Sequence, residues 1–296
     1  MAARSRSVKT WGHGPLPRPS VRFRRIGGAL RQAREERRLT LETAARRFGR
    51  SQGWLSTVEN GLQIIRVDDL TDLLDFYGIP EGVLRSSLLH LAAQGRRKNW
   101  THAFEGRISA AALDLASLEG DSASIRTYQP NLVPGLLQTE DYTRALVAGG
   151  LPGSQTNADE LVAFRMARQE TLAKKVAPQY HAVIGQAALH NEVGGPRVMR
   201  AQLQQVSEMA QARSIALHVL PFEASARLWL AGPFDVFTLR PPGQLTITVL
   251  DHFSQISFVE DEEAVATHEQ IFAHMLSGAL DEPWSLKVIR RLVSES

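Results

Sequence analysis

The residues with the most suggestive spacing lie between Ser51 and Glu59, in the run Ser51-Gln-Gly-Trp-Leu-Ser-Thr-Val-Glu59. At helical spacing Leu55 and Val58 fall on an inner face, which leaves Gln52, Gly53, Ser56 and Thr57 outside with Trp54 beside them. A helix entering a DNA major groove requires such a face: short polar groups that bind without reacting. Catalytic constellations are missing elsewhere. No glycine-rich loop runs into a lysine, and neither His-Glu-x-x-His nor Gly-x-Ser-x-Gly occurs. His181, His190, His218, His252, His268 and His274 are dispersed, and with no cysteine in the chain we expect no metal site and no cofactor. Gly194-Gly195-Pro196 reads as a loop entering a helix, and Asp251-His252 and Glu260 to Glu263 as a strand end and a solvated helix start. The expectation is a protein that is not an enzyme.

The elements that must hold the polar face are legible upstream. Thr40 can cap a helix whose first turn carries Glu42, an anion at the positive end of the helix dipole. Gly49 follows Phe48, where the helix must stop on a residue tolerant of positive φ. Ser51 caps a second helix that Asn60-Gly61 ends. Leu41, Ala44, Ala45, Phe48, Leu55 and Val58 form the buried seam, with the paired alanines allowing a close crossing.

Charge divides the chain. Residues 1 to 61 hold 14 Lys/Arg against 4 Asp/Glu, a balance of +10; the remaining 20 against 27 give −7, which together make the net +3. A basic first fifth on an acidic remainder is the asymmetry expected when one end meets a polyanion. With 296 residues and 43% apolar content, two domains with sizeable cores are expected. The absence of cysteine fits a reducing compartment, and no apolar run is long enough for a membrane span or a signal peptide, so the expected location is the cytoplasm, on the nucleoid.

Taken in order, residues 1–20 hold Gly, Pro, Ser and Arg without periodicity and are expected to be a disordered basic arm. Arg4, Arg6, Lys9, Arg18, Arg22, Arg24 and Arg25 either follow phosphates or are simply solvated. Residues 21–94 form the helical domain: a helix with a periodic face from Ile26, the two helices above, Val67 to Tyr77, and Glu81 to Ala93 with Val83, Leu84, Leu88 and Leu91 inward. A basic linker, 95–101, leads to an α+β domain, 102–296. Its expected strands are Ala123 to Tyr128, His181 to Ile184, Ser214 to Leu220, Phe234 to Leu239, Leu245 to Leu250 and Gln255 to Val259. Between the first two runs Leu132-Val133-Pro-Gly-Leu136-Leu137, an apolar, proline-broken segment that either docks into its own core, the favoured reading, or lines a groove for a partner. The expected fold class is therefore multidomain: five helices, then an α+β domain with a mixed sheet.

Arg34, Leu39-Thr40, Ala45, Gly49, Ser51 and Glu59-Asn60-Gly61 resemble the XRE-like (lambdoid-repressor-like) helix-turn-helix family over residues 24 to 80. The resemblance implies an ion pair between Arg34 and Glu59, base-reading positions at Gln52, Gly53 and Thr57, and phosphate contacts from Arg50 and Ser51. Gln52 can then bond bidentately to adenine and Thr57 touch a thymine methyl. Gly53 departs from the pattern, having no side chain for a base and weakening the helix by about 1 kcal/mol relative to alanine. For Trp54, packing is favoured over base contact.

Over nearly all of 100 to 296 the phrases Ser124-Ile-Arg-Thr-Tyr-Gln-Pro-Asn-Leu-Val-Pro-Gly-Leu-Leu-Gln-Thr-Glu-Asp-Tyr142, Val193-Gly-Gly-Pro-Arg-Val-Met-Arg-Ala-Gln-Leu203, His218-Val-Leu-Pro-Phe222 and Ala231-Gly-Pro-Phe234 resemble the C-terminal domain of actinobacterial WhiJ-like, antitoxin-like regulators. That resemblance implies a transcription regulator, often encoded beside a small partner protein. The expected partners are double-stranded DNA, a second copy of the chain on an inverted repeat and, in an antitoxin-like alternative, a small protein bound by the C-terminal domain; a membrane is not among them.

Overall fold

The computed structural model describes residues 20–94, 100–149, 157–224, 231–242, 245–252 and 255–295. The expected arm, 1–20, therefore lies outside the described residues save for Ser20, as does most of the expected linker.

Five helices come first: α1 (Val21–Glu36), α2 (Leu41–Phe48), α3 (Gln52–Glu59), α4 (Val67–Phe76) and α5 (Val83–Gln94). Ile26, Leu30, Ala44, Ala45, Leu55, Val58, Leu70, Leu73, Leu74, Leu88 and Leu91 are buried. Their stripes recur every three or four residues, so burying them sets the helices around one core. Val83 and Leu84, expected inward, are exposed in the first turn of α5.

Next come α6 (Ala110–Asp121), β1 (Ser122–Gln129), α7 (Glu140–Ala148), α8 (Ala158–Ala173), β2 (Gln179–Gly185), α9 (Gln186–His190), α10 (Pro196–Met209), β3 (Ile215–Leu220), β4 (Phe234–Leu239), β5 (Thr246–His252), β6 (Gln255–Val259), α11 (Glu262–Gly278) and α12 (Glu282–Glu295). The six strands form one mixed sheet in the order β3-β2-β1-β4-β5-β6. β1, β2 and β3 run parallel, joined by helical crossovers, and β4, β5 and β6 add an antiparallel meander to the free side of β1. Alternation along the strands sorts the side chains. Ile125, Tyr180, Ala182, Leu217, Phe237 and Val249 pack with Leu115, Leu118, Leu172 and Leu203 on one face, whereas Tyr128, Val183, Phe234 and Val236 meet Phe272 and Met275 of α11 on the other. This is the expected class, a helical region followed by an α+β domain. The 3-10 turn at Trp100–Phe104 and the short α9 were not expected.

The helical and α+β parts are joined through α1. Its periodicity predicted a start at Ile26, but the helix begins at Val21, where its first N–H and the Arg22 side chain find partners far away in sequence. Ser20 gives no side-chain cap; instead the Val21 N–H donates to Asp114 Oδ2 of α6 at 2.8 Å. Arg22, only 3% exposed, donates to the Ser117 hydroxyl at 2.9 Å, the Ser117 carbonyl at 3.0 Å and Asp121 Oδ2 at 2.5 Å. Burial raises the Asp114 carboxyl above its ordinary range, an effect opposed by the Val21 N–H and by Arg22.

Candidate nucleic-acid interface

Local capping builds the helix-turn-helix unit. Thr40 Oγ1 accepts from the Thr43 N–H at 3.1 Å, and Ser51 Oγ accepts from the Trp54 N–H at 3.1 Å. Between them Gly49 closes α2 at φ 75°, ψ 24°. Two other glycines let α1 approach: a Cβ on Gly27 would sit 2.5 Å from the Val58 and Glu59 carbonyl oxygens, and one on Gly61 would sit 2.6 Å from the Arg24 nitrogen.

Arg34 fixes α1 to the end of α3. Its Nε donates to Glu59 Oε1 at 2.7 Å and Nη2 to Oε2 at 3.0 Å, while Nη1 reaches the Leu39 carbonyl at 2.8 Å. Both partners are buried, and the hydrogen bond to Glu59 raises the Arg34 pKa above its ordinary value. A fork of this kind sets the position of two helices more than it adds net stability.

The remaining sequence-derived residues separate. Ser51, Gln52 and Gly53 are exposed; among the described residues the Gln52 side chain has no hydrogen-bond partner, and a Cβ at Gly53 would meet nothing within 4 Å. Ser56 and Thr57 are half-buried beside them. Thr57 Oγ1 donates to the Trp54 carbonyl at 2.8 Å and lies 3.0 Å from Gln63 Oε1, so only its methyl remains uncommitted. Trp54 packs: its ring stacks on Phe48 at 6.0 Å and 15°, under the Arg50 guanidinium at 5.2 Å. Arg50 is also tied to Asp69 at 2.7 Å, so a phosphate would have to share it.

Arg22, Arg24 and Arg25 lie against carboxylates to different degrees. Arg22 is buried as described above. Arg24 Nε donates to Glu260 Oε1 at 2.7 Å with its guanidinium over Phe258 at 5.5 Å, and Arg25 lies 3.8 Å from Glu262. Arg22 and Arg24 are thus held by carboxylates of the acidic half, whereas the half-exposed Arg25, beside the exposed Glu262, stays open to solvent. The sequence reading missed Arg46 and Arg47 in the last turn of α2, which are exposed and, among the described residues, have no ion-pair partner. The available signal was two adjacent arginines just before the turn.

In the α+β part, Val133, Leu136 and Leu137 are buried, and only Leu132, at 37%, reaches solvent. They dock into the domain's own core, the favoured of the two expectations, and the alternative groove for a partner is not open along this segment. A proline-broken backbone cannot satisfy itself, and glutamines serve it: Gln138 Nε2 donates to the Val133 carbonyl, Gln169 Nε2 to that of Gln138, and Gln202 Nε2 to that of Leu137, at 2.7, 2.6 and 2.8 Å.

A capped helix-turn-helix with an open polar face on α3 is a DNA-binding arrangement, and residues 25–88 match the family model described as a helix-turn-helix domain. The chain belongs to the family described as "Domain of unknown function (DUF5753)", whose model matches residues 112–291, more than half of its length. Neither the curated proteins nor the solved structures contain a match. No helix among the described residues is long and apolar enough to cross a membrane.

Proposed function

We propose that the protein is a sequence-specific transcription regulator, reading an inverted repeat as a dimer through α3 while its α+β domain senses a small ligand. The observation that carries this reading is the combination of a capped, rigid α3 with an exposed and unpartnered Gln52 on its outer face. A lone small helix-turn-helix makes few base contacts, so two copies on half-sites about one helical turn apart supply the affinity. Gln52 reads a base, Thr57 offers its methyl, Ser51, Arg46 and Arg47 hold phosphates, and the protein works on the nucleoid in the cytoplasm.

Sensing is favoured over the antitoxin-like alternative because Val133, Leu136 and Leu137 are taken up by the core, leaving a polar cavity behind them instead of an apolar groove. The resemblance to WhiJ-like regulators supports the regulatory role under either alternative. Fluorescence anisotropy of the full chain on DNA from its own upstream region, across a salt series, tests the reading. A steep negative dependence on salt, with tighter binding than to scrambled DNA, is expected; binding indifferent to sequence and salt would overturn it.

A further inference from the structure

The α+β domain holds a cavity of about 100 Å³ whose lining is far more polar than the surrounding core. Strand register assembles its floor. Thr127 of β1 faces Asp235 of β4, Asp235 faces Val249 of β5, and Asp251 follows two residues on, so the three polar side chains share one face. Arg165 and Arg168 of α8 and Glu119 of α6 line it from the helical side, and Gln138 and Leu136 from the proline-broken segment.

The charges do not cancel pairwise. Arg168 is satisfied by a fork on Glu119, at 2.6 and 3.0 Å. Among the described residues Arg165 has only the Gln138 amide oxygen, at 3.0 Å from Nη1, and no carboxylate within ion-pair distance. Asp235 likewise has no cation within that distance, and beside it the buried Thr127 hydroxyl makes no hydrogen bond of good geometry. Burial pushes Asp235 up to about 7, and burial together with Arg168 lowers Arg165 to about 10. The Arg165 guanidinium and the Asp235 carboxyl, both half-buried, are thus left facing a partly open space with the exposed Asp251 at its rim, and polar groups drawn out of water in this way call for partners.

We propose that this cavity binds a small zwitterion of the free α-amino-acid class, its carboxylate on Arg165 and its ammonium on Asp235 and Asp251. A planar fork suits a carboxylate, and paired carboxyl groups suit an ammonium. The cavity volume of about 100 Å³, set against the 150 Å³ cavity that takes the six heavy atoms of a benzene, favours the smallest members of the class, in the order glycine (five heavy atoms), alanine (six) and serine (seven). The assignment rests on the sensing reading above and gives it a ligand class. A route to the DNA-binding part is already present in α6: Leu115 and Glu119 line the cavity, while Asp114, Ser117 and Asp121 of the same helix hold Val21 and Arg22 at the start of α1.

The test is calorimetric titration and thermal melting of the full chain with glycine, L-alanine and L-serine, against acetate and ethylammonium as half-molecules. At least one amino acid should saturate below 10 mM and raise the melting temperature by about 3 to 6 °C at ten times its Kd. The half-molecules should bind at least tenfold more weakly. Arg165→Lys, which keeps the charge but loses the fork, should weaken binding at least tenfold; Asp235→Asn serves the same purpose should the lysine variant fail to fold. Absence of binding by all three amino acids, acetate binding as tightly as they do, or an unchanged Kd in a folded variant would overturn the proposal. Anisotropy on the same preparation separates the two readings: specific DNA binding without amino-acid binding removes this site alone, whereas amino-acid binding without any DNA binding removes the regulator and leaves the site.

Discussion

The arginines at the two ends of the helix-turn-helix part have opposite fates, although both belong to the same +10 stretch of sequence. Arg22 and Arg24, at the start of α1, are claimed by Asp114, Asp121 and Glu260 of the acidic part, whereas Arg46 and Arg47, at the end of α2, face solvent with no ion-pair partner among the described residues. Net charge identifies a basic segment but does not say which of its cations are free for a polyanion. That is decided by which carboxylates the fold brings within reach, and here they arrive from residues more than ninety positions away. One set acts as an internal clasp and the other remains available to DNA.

The comparison breaks most visibly at the clasp. Arg22→Met leaves Asp114 buried without its cation, and losing one member of a buried pair costs roughly 3–5 kcal/mol. The sign follows from Asp114: its raised carboxyl rises further in the variant, so stability is kept at low pH and lost as pH climbs through that value. The gap in melting temperature between variant and wild type should therefore be wider at pH 7 than at pH 4; an equal gap at both would remove Asp114 from the account. Glu59→Gln weakens the second buried pair and leaves a hydrogen-bonding side chain in place, so a smaller loss of about 2–3 kcal/mol is expected by chemical denaturation, with the helix-turn-helix part unfolding first.

At the other end the effect is on binding and not on folding. Arg46→Ala with Arg47→Ala should leave stability within about 0.5 kcal/mol, as for surface changes generally, and lower the slope of log affinity against log salt by about 2. An unchanged slope would place DNA elsewhere. Gly53→Ala gives the smallest effect: the exposed site has room for a methyl, so α3 gains up to about 1 kcal/mol, measured as a higher melting temperature.

What could be read from sequence follows the range of the interactions. Thr40, Gly49 and Ser51 act on backbone two to four residues away, so turn and caps were legible, and the strand alternation marked nearly every strand. The start of α1 was misjudged by five residues because its partner, Asp114, lies 93 positions on. For the same reason neither reading offered for Arg22 and Arg24, phosphates or solvent, included carboxylates of the other part. The polar cavity draws on α6, β1, β4, β5 and α8, and nothing local marks Glu119, Arg165 or Asp235 as neighbours. Val133, Leu136 and Leu137 were legible as apolar and favoured as core, but not the glutamines from α8 and α10 that satisfy the backbone beneath them.

Whether the open face of α3 reads DNA sequence is decided by selection of bound sites from a random duplex library, sequenced after several rounds with wild type and with Gln52→Ala. A two-fold motif in the wild type, with preference lost at a single base pair per half-site in the variant at a cost of about 1–3 kcal/mol, is the expected result. No enriched motif, or the same motif from both proteins, would contradict it.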